Sequence, residues 1–293
     1  MNKFIDYFSP EKDIIKEKFN TIPYMDVWIC SIIEGYIYGI EDQEEEDGDA
    51  YCIVHLYYTR YGVREGKYSL YTFNDYTDEN VLIGTGYYKN GKQEGEYKEL
   101  WKNLGIDEPS ALRIHCYYKE DELDGEYKKW YPDGQLWVQC YYKDGEEEGE
   151  YKEWYNNGQI EDIFYMKNGK KDGEGKEWHP NGQLAVQRYY KDGKREGECK
   201  EWWDNGQLEV QCCYKNGRLD GEYKEWHDNG NLSREFYYKD GEEEGQCKAW
   251  WSNGNLSEIL NYKDGLSNGE YKSWDEEGNL IQDRVYNLGN RIN

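Results

Sequence analysis

A seven-residue stretch, Gly-Glu-Tyr-Lys-Glu-Trp-Tyr at 149–155, recurs with small changes between residues 95 and 274. Its opening glycines are Gly125, Gly149, Gly173, Gly197, Gly221, Gly245 and Gly269, each 24 residues after the last. One earlier copy opens at Gly95, 30 residues before Gly125. Self-similarity at a fixed short period restricts the chain to an array in which each unit buries its apolar surface against its neighbours.

Each period carries two turn signals. One is Asn-Gly or Asp-Gly followed by a polar and an aliphatic residue, as in Asn157-Gly158-Gln159-Ile160. The other is Lys-Asp-Gly or Lys-Asn-Gly, as in Lys143-Asp144-Gly145 and Lys167-Asn168-Gly169. Both dipeptides tolerate the positive φ of tight hairpin turns. Between them lie runs of about six to eight residues rich in Tyr, Trp, Val and Leu, the length and composition of strands. The period is therefore two antiparallel strands, and the array an elongated, single-layer, all-β meander.

Alternation assigns the faces. Glu150, Lys152 and Trp154 share one face, and Tyr151, Glu153 and Tyr155 the other. Columns follow at the same phase, namely Trp130, Trp154, Trp178, Trp202, Trp226, Trp250 and Trp274, a lysine column including Lys128, Lys152 and Lys176, and an aliphatic column including Leu136, Ile160 and Leu184. Equivalent residues lie two strands apart, ~9–10 Å, so Trp cannot stack on Trp. A lysine stem can lie along Trp while its head pairs with a neighbouring Glu. These columns, with the glycines above, read as scaffold.

Aromatic residues make up 17% of the chain, with 32 Tyr and 12 Trp, which excludes an acidic disordered chain and suits a thin sheet of half-buried rings. The formal net charge of −25 repels nucleic-acid phosphate and anionic lipid, so neither is an expected partner. No apolar run approaches the ~20 residues that span a bilayer, and the first residues lack the apolar core of a signal peptide. The expected location is cytoplasmic. Cys116, Cys140 and Cys212 share a column with Phe164 and Phe236, and Cys199 and Cys247 share one with Tyr151 and Tyr223. These thiols read as small packed residues in reduced form.

Residues 1–56 do not carry the repeat and read as an N-terminal α+β cap, a short helix plus a β-hairpin. Ser9-Pro10-Glu11 has the pattern of a helix start. Residues 28–40 read as a strand, 41–49 as an acidic loop and 50–58 as a second strand. Covering an open sheet end is one role for this segment, and binding a partner is another. Residues 57–293 form the array, with a degenerate unit at 57–68 and an insertion around Pro109.

The pattern Tyr141-Tyr142-Lys143-Asp144-Gly145, Gly149-Glu150-Tyr151-Lys152-Glu153-Trp154-Tyr155, Asn157-Gly158-Gln159-Ile160 resembles the MORN repeat family, in the 24-residue variant common in bacterial and giant DNA virus proteins. The resemblance covers residues 57–289. Gly175 and Cys199 depart from its Tyr, and Asn255 and Asn279 from its Gln. It implies stacked hairpins in a curved single-layer sheet. Family members act mostly as scaffolds, dimerisation surfaces or membrane-proximal adaptors, with a bacterial branch described as antitoxins. In a virus such a chain would be a virion component.

No chemistry is legible. His179 and His227 lie in the column of Tyr131, Tyr155 and Trp203, two periods apart, ~19 Å by strand spacing and too far to share a metal. Packing of the ring edges is the reading for both. No calcium loop, nucleophile motif or phosphate-binding loop is present. Catalysis, cofactors and metals are therefore not expected. The loops after Lys-Asp/Asn-Gly vary in charge, acidic at Glu146 to Glu148 and Glu242 to Glu244, but basic at Lys170, Lys171, Lys194, Arg195 and Arg218. That basic set is the candidate interaction surface, either as exposed-loop drift or as an electrostatic register for a partner. The expected function is a non-catalytic scaffold for protein partners, including a two-fold homodimer through the strand at 281–286. The alternative is an antitoxin-like inhibitor of one protein.

Overall fold

A computed structural model describes residues 32–33, 36–39, 53–60, 63–74, 79–101 and 111–292, and every regular element in them is a strand. The chain divides into two units, Met1–Glu146 and Glu147–Asn293. In the first, strands Ile53–Arg60, Val63–Asn74, Glu79–Lys89, Gly95–Leu100, Leu112–Lys119, Gly125–Trp130 and Leu136–Lys143 each pair antiparallel with the one before. In the second, strands such as Gly149–Trp154, Ile160–Lys167, Gly173–Trp178 and Leu184–Lys191 continue the same pattern to Leu280–Asn287.

The helix expected from Ser9 lies outside the described residues. The single strand expected over 28–40 is corrected. Ile32–Ile33 and Tyr36–Gly39 fold onto each other, Ile32 opposite Ile37. The boundary expected after residue 56 falls inside strand Ile53–Arg60, which pairs with Tyr36–Gly39 and with Val63–Asn74.

The two turns of a repeat are built differently. At Lys143-Asp144-Gly145 both central residues are left-handed, φ 49° and 80°, the arrangement that matches strand twist in a two-residue hairpin. Asp or Asn beside Gly recurs there because few other residues accept positive φ. Glu120-Asp121 holds the same conformation without glycine, φ 54° and 74°. The other turn, at 155–159, closes with Gly158 N–H donating to Tyr155 O and with Gln159 N–H donating to the Asn157 carboxamide oxygen.

The opening glycine of each repeat has its own role. After the hairpin, Lys171 pairs with Met166, but the next register pair joins Lys176 to Ile163. Two extra residues are thus accommodated, and Gly173 sits among them at φ 104°. All seven opening glycines have positive φ, so the 24-residue glycine column marks a β-bulge. A second bulge lies between Glu153 and Trp154, where Ile160 replaces the expected Glu161 as partner.

The faces follow the alternation. Glu150, Lys152 and Trp154 pair across the sheet with Tyr165, Ile163 and Ile160, while Tyr151 pairs with Phe164. The lysine heads reach the glutamate two residues before them, at 2.7 Å for Lys128–Glu126 and Lys152–Glu150. The seven Trp of the column are all half-buried. The most deeply buried side chains lie on the opposite face and include Cys116, Cys140, Met166, Cys199 and Cys212. There the pairs vary in size. Two rings face each other at Tyr151–Phe164, stacked at 4.4 Å, glycine faces arginine at Gly175–Arg188, and two thiols meet at Cys199–Cys212. Burial pushes the Cys116 and Cys247 thiols up to about 12, so they pack as neutral side chains.

Each hairpin turn is tied to the one before it by two bonds. Gly193 N–H donates to Lys171 O at 2.8 Å, and Asp192 N–H donates to the Asp172 carboxylate at 3.1 Å. Gly217 and Asn216 repeat this on Arg195 O and Glu196, and Gly241 and Asp240 on Leu219 O and Asp220. The acid just before six of the seven opening glycines, and Asn268 before the seventh, is thus an acceptor for a left-handed turn N–H 20 residues later. Asp220→Ala is expected to cost about 1 kcal/mol in urea unfolding, while Asp220→Asn, which keeps the acceptor as Asn268 does, costs less than half of that. Equal losses would show that the acid acts through charge alone.

Candidate interaction surface

The column at the start of the longer turn is chemically mixed, with Tyr155, His179, Trp203, His227 and Trp251. Its geometry is uniform. Tyr155 OH donates to Trp178 O at 2.7 Å, and Trp203 Nε1 and Trp251 Nε1 donate to Trp226 O and Trp274 O at 3.3 and 3.1 Å. His179 Nε2 and His227 Nε2 meet Trp202 O and Trp250 O at 2.8 and 2.9 Å. A carbonyl only accepts, so these histidines carry their proton on Nε2. Trp101 makes the same bond to Trp130 O in the first unit. The position requires a ring with a donor at its tip, reaching one repeat onward. The two histidines are therefore hydrogen-bond donors, not ring edges packed for shape. His179→Phe is expected to destabilise by about 1 kcal/mol in urea unfolding, and His179→Tyr by no more than about a third of that. Identical losses would assign the role to ring packing.

The asparagines of the same turn form a parallel row. Asn157, Asn181, Asn205, Asn229 and Asn253 each donate from Nδ2 to a carbonyl one repeat on, at 2.7–3.0 Å. Asp133, in the first unit, has no such donor and holds only its own turn, through Gln135 N–H.

The basic loop residues separate into two sets. Lys170, Lys194 and Arg218 are exposed. Lys171 and Arg195 turn onto the cysteine-bearing face instead. Lys171 Nζ lies 3.7 Å from the Phe164 ring centre, and Arg195 donates to Tyr214 OH at 2.9 Å. Alternation separates neighbours in a strand of only two residues, so two of the five basic residues seen in the loops belong to the sheet.

The opposite face carries a feature the sequence reading passed over. Tyr87, Tyr141, Tyr165, Tyr189 and Tyr237 are between 41% and 49% exposed. Each is the first tyrosine of a Tyr-Tyr-Lys or, at Tyr165, of Tyr-Met-Lys, a position that is half-buried at Tyr117 and is filled by Cys213 and Asn261 in other repeats, and strand neighbours such as Tyr88 and Tyr142 point the other way. Tyr189 OH donates to Glu174, which also pairs with Lys176. The result on each unit is a row of exposed rings set among Glu–Lys pairs, which contribute little energy themselves. The alternation of strand Leu136–Lys143 about Cys140 was the signal that could have found it.

One column mixes valine with charge, carrying Asp162, Arg234 and Glu258 beside its valines. Asp162 stands where other repeats place Val138, Val186 and Val210. Its Oδ1 is buried without a hydrogen bond. Burial pushes its carboxyl up, opposed by Lys171 and Arg188 and reinforced by Glu153. Burial pulls the Lys171 ammonium down, with Asp162 opposing. Both partners thus shift toward their neutral forms, and desolvation outweighs their attraction. A folded-state pKa raised above 3.8 favours the folded chain below that pH, and the contribution is lost as pH rises through the folded value. Asp162→Val is expected to raise stability at pH 7 by about 1 kcal/mol. The gain shrinks as pH falls toward 3.8, and a gain independent of pH would assign it to packing.

Among the described residues, no group of three His, Cys, Asp or Glu side chains could hold a metal ion, and no helix is long and apolar enough to cross a membrane. The profile of the MORN repeat variant matches seven consecutive segments, 123–144, 147–168, 171–192, 195–216, 219–240, 243–264 and 267–287. No curated protein matches the chain.

Proposed function

The chain belongs to the MORN repeat variant family, and from that premise we propose that it is a non-catalytic scaffold whose sheet face binds protein partners. The observation that carries this reading is the exposed tyrosine row of each unit, Tyr87 and Tyr141 on the first and Tyr165, Tyr189 and Tyr237 on the second. Tyrosine offers large apolar area with a polar tip and few rotatable bonds, so it is enriched where proteins meet. Seated on a hydrogen-bonded sheet, the row is pre-organised, which lowers the entropic cost of association. The exposed Lys170, Lys194 and Arg218 supply charge for steering an acidic partner against an otherwise negative chain. A second copy of the chain is one such partner, and the cytoplasm the compartment this composition suits.

The test compares the chain with a variant carrying Tyr141→Ser, Tyr165→Ser, Tyr189→Ser and Tyr237→Ser, after confirming that both melt alike. Cross-linking and mass spectrometry from source cells is expected to recover partners, or the chain itself, that the variant loses. An unchanged set of partners rules the tyrosine face out. A single partner held at fixed one-to-one stoichiometry replaces the scaffold with the antitoxin-like inhibitor.

A further inference from the structure

In the second unit, a groove of about 520 Å³ opens between two successive long turns, and its lining includes Trp203, Glu209, Val210, Glu225, His227 and Ser233. Val210 and Glu225 are register partners, so its floor belongs to the cysteine-bearing face, away from the exposed tyrosines. No lysine or arginine lines it. Glu225 is already engaged, accepting from Tyr223 OH at 2.9 Å and lying 3.8 Å from Arg234 Nε. Glu209 makes no hydrogen bond or ion pair among the described residues. Burial pushes its carboxyl up, with the charges of Glu201 and Glu225 reinforcing and His179 opposing, so Glu209 brings to the groove a carboxylate that no lysine or arginine pairs with.

The first unit shows what such a position accommodates when the chain fills it. In the repeat 123–144, the turn ring Tyr131 stacks on Trp137 at 5.0 Å and 16°. The Lys129 ammonium sits 3.9 Å from the Trp137 ring centre. That repeat thus completes the position with a flat ring and a cation of its own. One step of 96 residues on, the same three positions are His227, Ser233 and Glu225. The flat group has become a small serine, and the cation has become a carboxylate. In the repeat just before it, that of Trp203, the Trp137 position is Glu209 and the Lys129 position is Glu201. The groove therefore keeps the aromatic walls while lacking both the flat filler and the positive charge.

A ligand that is flat and positively charged answers both. We propose that this groove binds a guanidinium, the side chain of an arginine on a partner protein, laid on the Trp203 indole and paired with the Glu209 carboxylate. Guanidinium stacks on aromatic faces and pairs with carboxylate through two parallel N–H donors, whereas an ammonium is a compact, strongly hydrated point charge. A backbone-linked arginine suits an open groove because only the side chain enters. Free arginine would bring its own carboxylate to the acidic rim formed by Asp204 and Asp228.

The experiment titrates capped arginine, N-acetyl-arginine amide, into the full chain labelled with 5-fluorotryptophan and follows fluorine resonances. The Trp203 signal is identified as the one missing from Trp203→Phe. The expected result is a saturable shift of that signal, with capped citrulline (flat but neutral), capped lysine and free arginine each binding about tenfold more weakly. Glu209→Gln, which preserves shape, is expected to weaken capped arginine by about tenfold with an unchanged melting curve. No saturable shift overturns the proposal, as does equal binding of citrulline or lysine. Indifference to Glu209→Gln also overturns it, and tighter binding of free arginine would reassign the groove to a small molecule.

Discussion

The fold depends on a bond made between equivalent places in successive repeats. Within each unit, a left-handed turn N–H reaches the acid one repeat earlier, a turn glycine N–H reaches a strand carbonyl, and a turn ring reaches the carbonyl of the next Trp. Strand pairing alone fixes a spacing of two strands per repeat but leaves the turns without lateral support. The three ties supply that support, and they constrain the sequence where burial does not. Polar residues at exposed turns recur every 24 positions because each has a partner at a fixed offset. The acidity of the chain follows partly from this, since an acid before six of the seven opening glycines is an acceptor with a structural role.

Much of this was legible in the sequence. The period, the two turns and the assignment of Trp154 and Tyr151 to opposite faces all came from spacing and alternation, and the register agrees. The opening glycines were visible as a column, but their cause was not. A bulge shows only when one strand is counted against its partner, and a single chain read in order carries no partner. The exchange of Tyr, His and Trp along one column was equally visible, yet its common property, a donor at the ring tip, needs the carbonyl of another repeat to be apparent. The charged loops misled in part. Lys171 and Arg195 sit in strands of two residues, too short for alternation to be read with any force.

The two faces divide the work of the sheet. The cysteine-bearing face holds the deepest side chains and tolerates pairs as different as Tyr151–Phe164 and Cys199–Cys212, since ring and thiol need only fill adjoining space. It also tolerates Asp162, whose Oδ1 is buried without a hydrogen bond. The Trp face is regular and half-exposed, with lysine heads paired back to the glutamate of the same strand. Regularity on that side gives a repeated surface, and irregularity on the other is where single sites such as the groove beside Trp203 arise.

The asparagine row has a bearing on the chemical ageing of the chain. Asn followed by Gly is the dipeptide most prone to lose its side-chain nitrogen, and Asn is among the residues thinned out in heat-adapted proteins. In Asn157, Asn181, Asn205, Asn229 and Asn253 that nitrogen is the donor to the neighbouring repeat, and the oxygen is held by the turn's own N–H. Both ends of the carboxamide are therefore restrained from the rotation that would bring the next glycine's backbone nitrogen onto the side-chain carbonyl carbon, where it expels ammonia. Where loss did occur, the new carboxylate would face a carbonyl with no proton to offer, as Asp133 already lacks one. An event that ends in aspartate would remove one rung and spare the turn that carries it, whereas one that ends in isoaspartate adds a backbone methylene and breaks the turn as well.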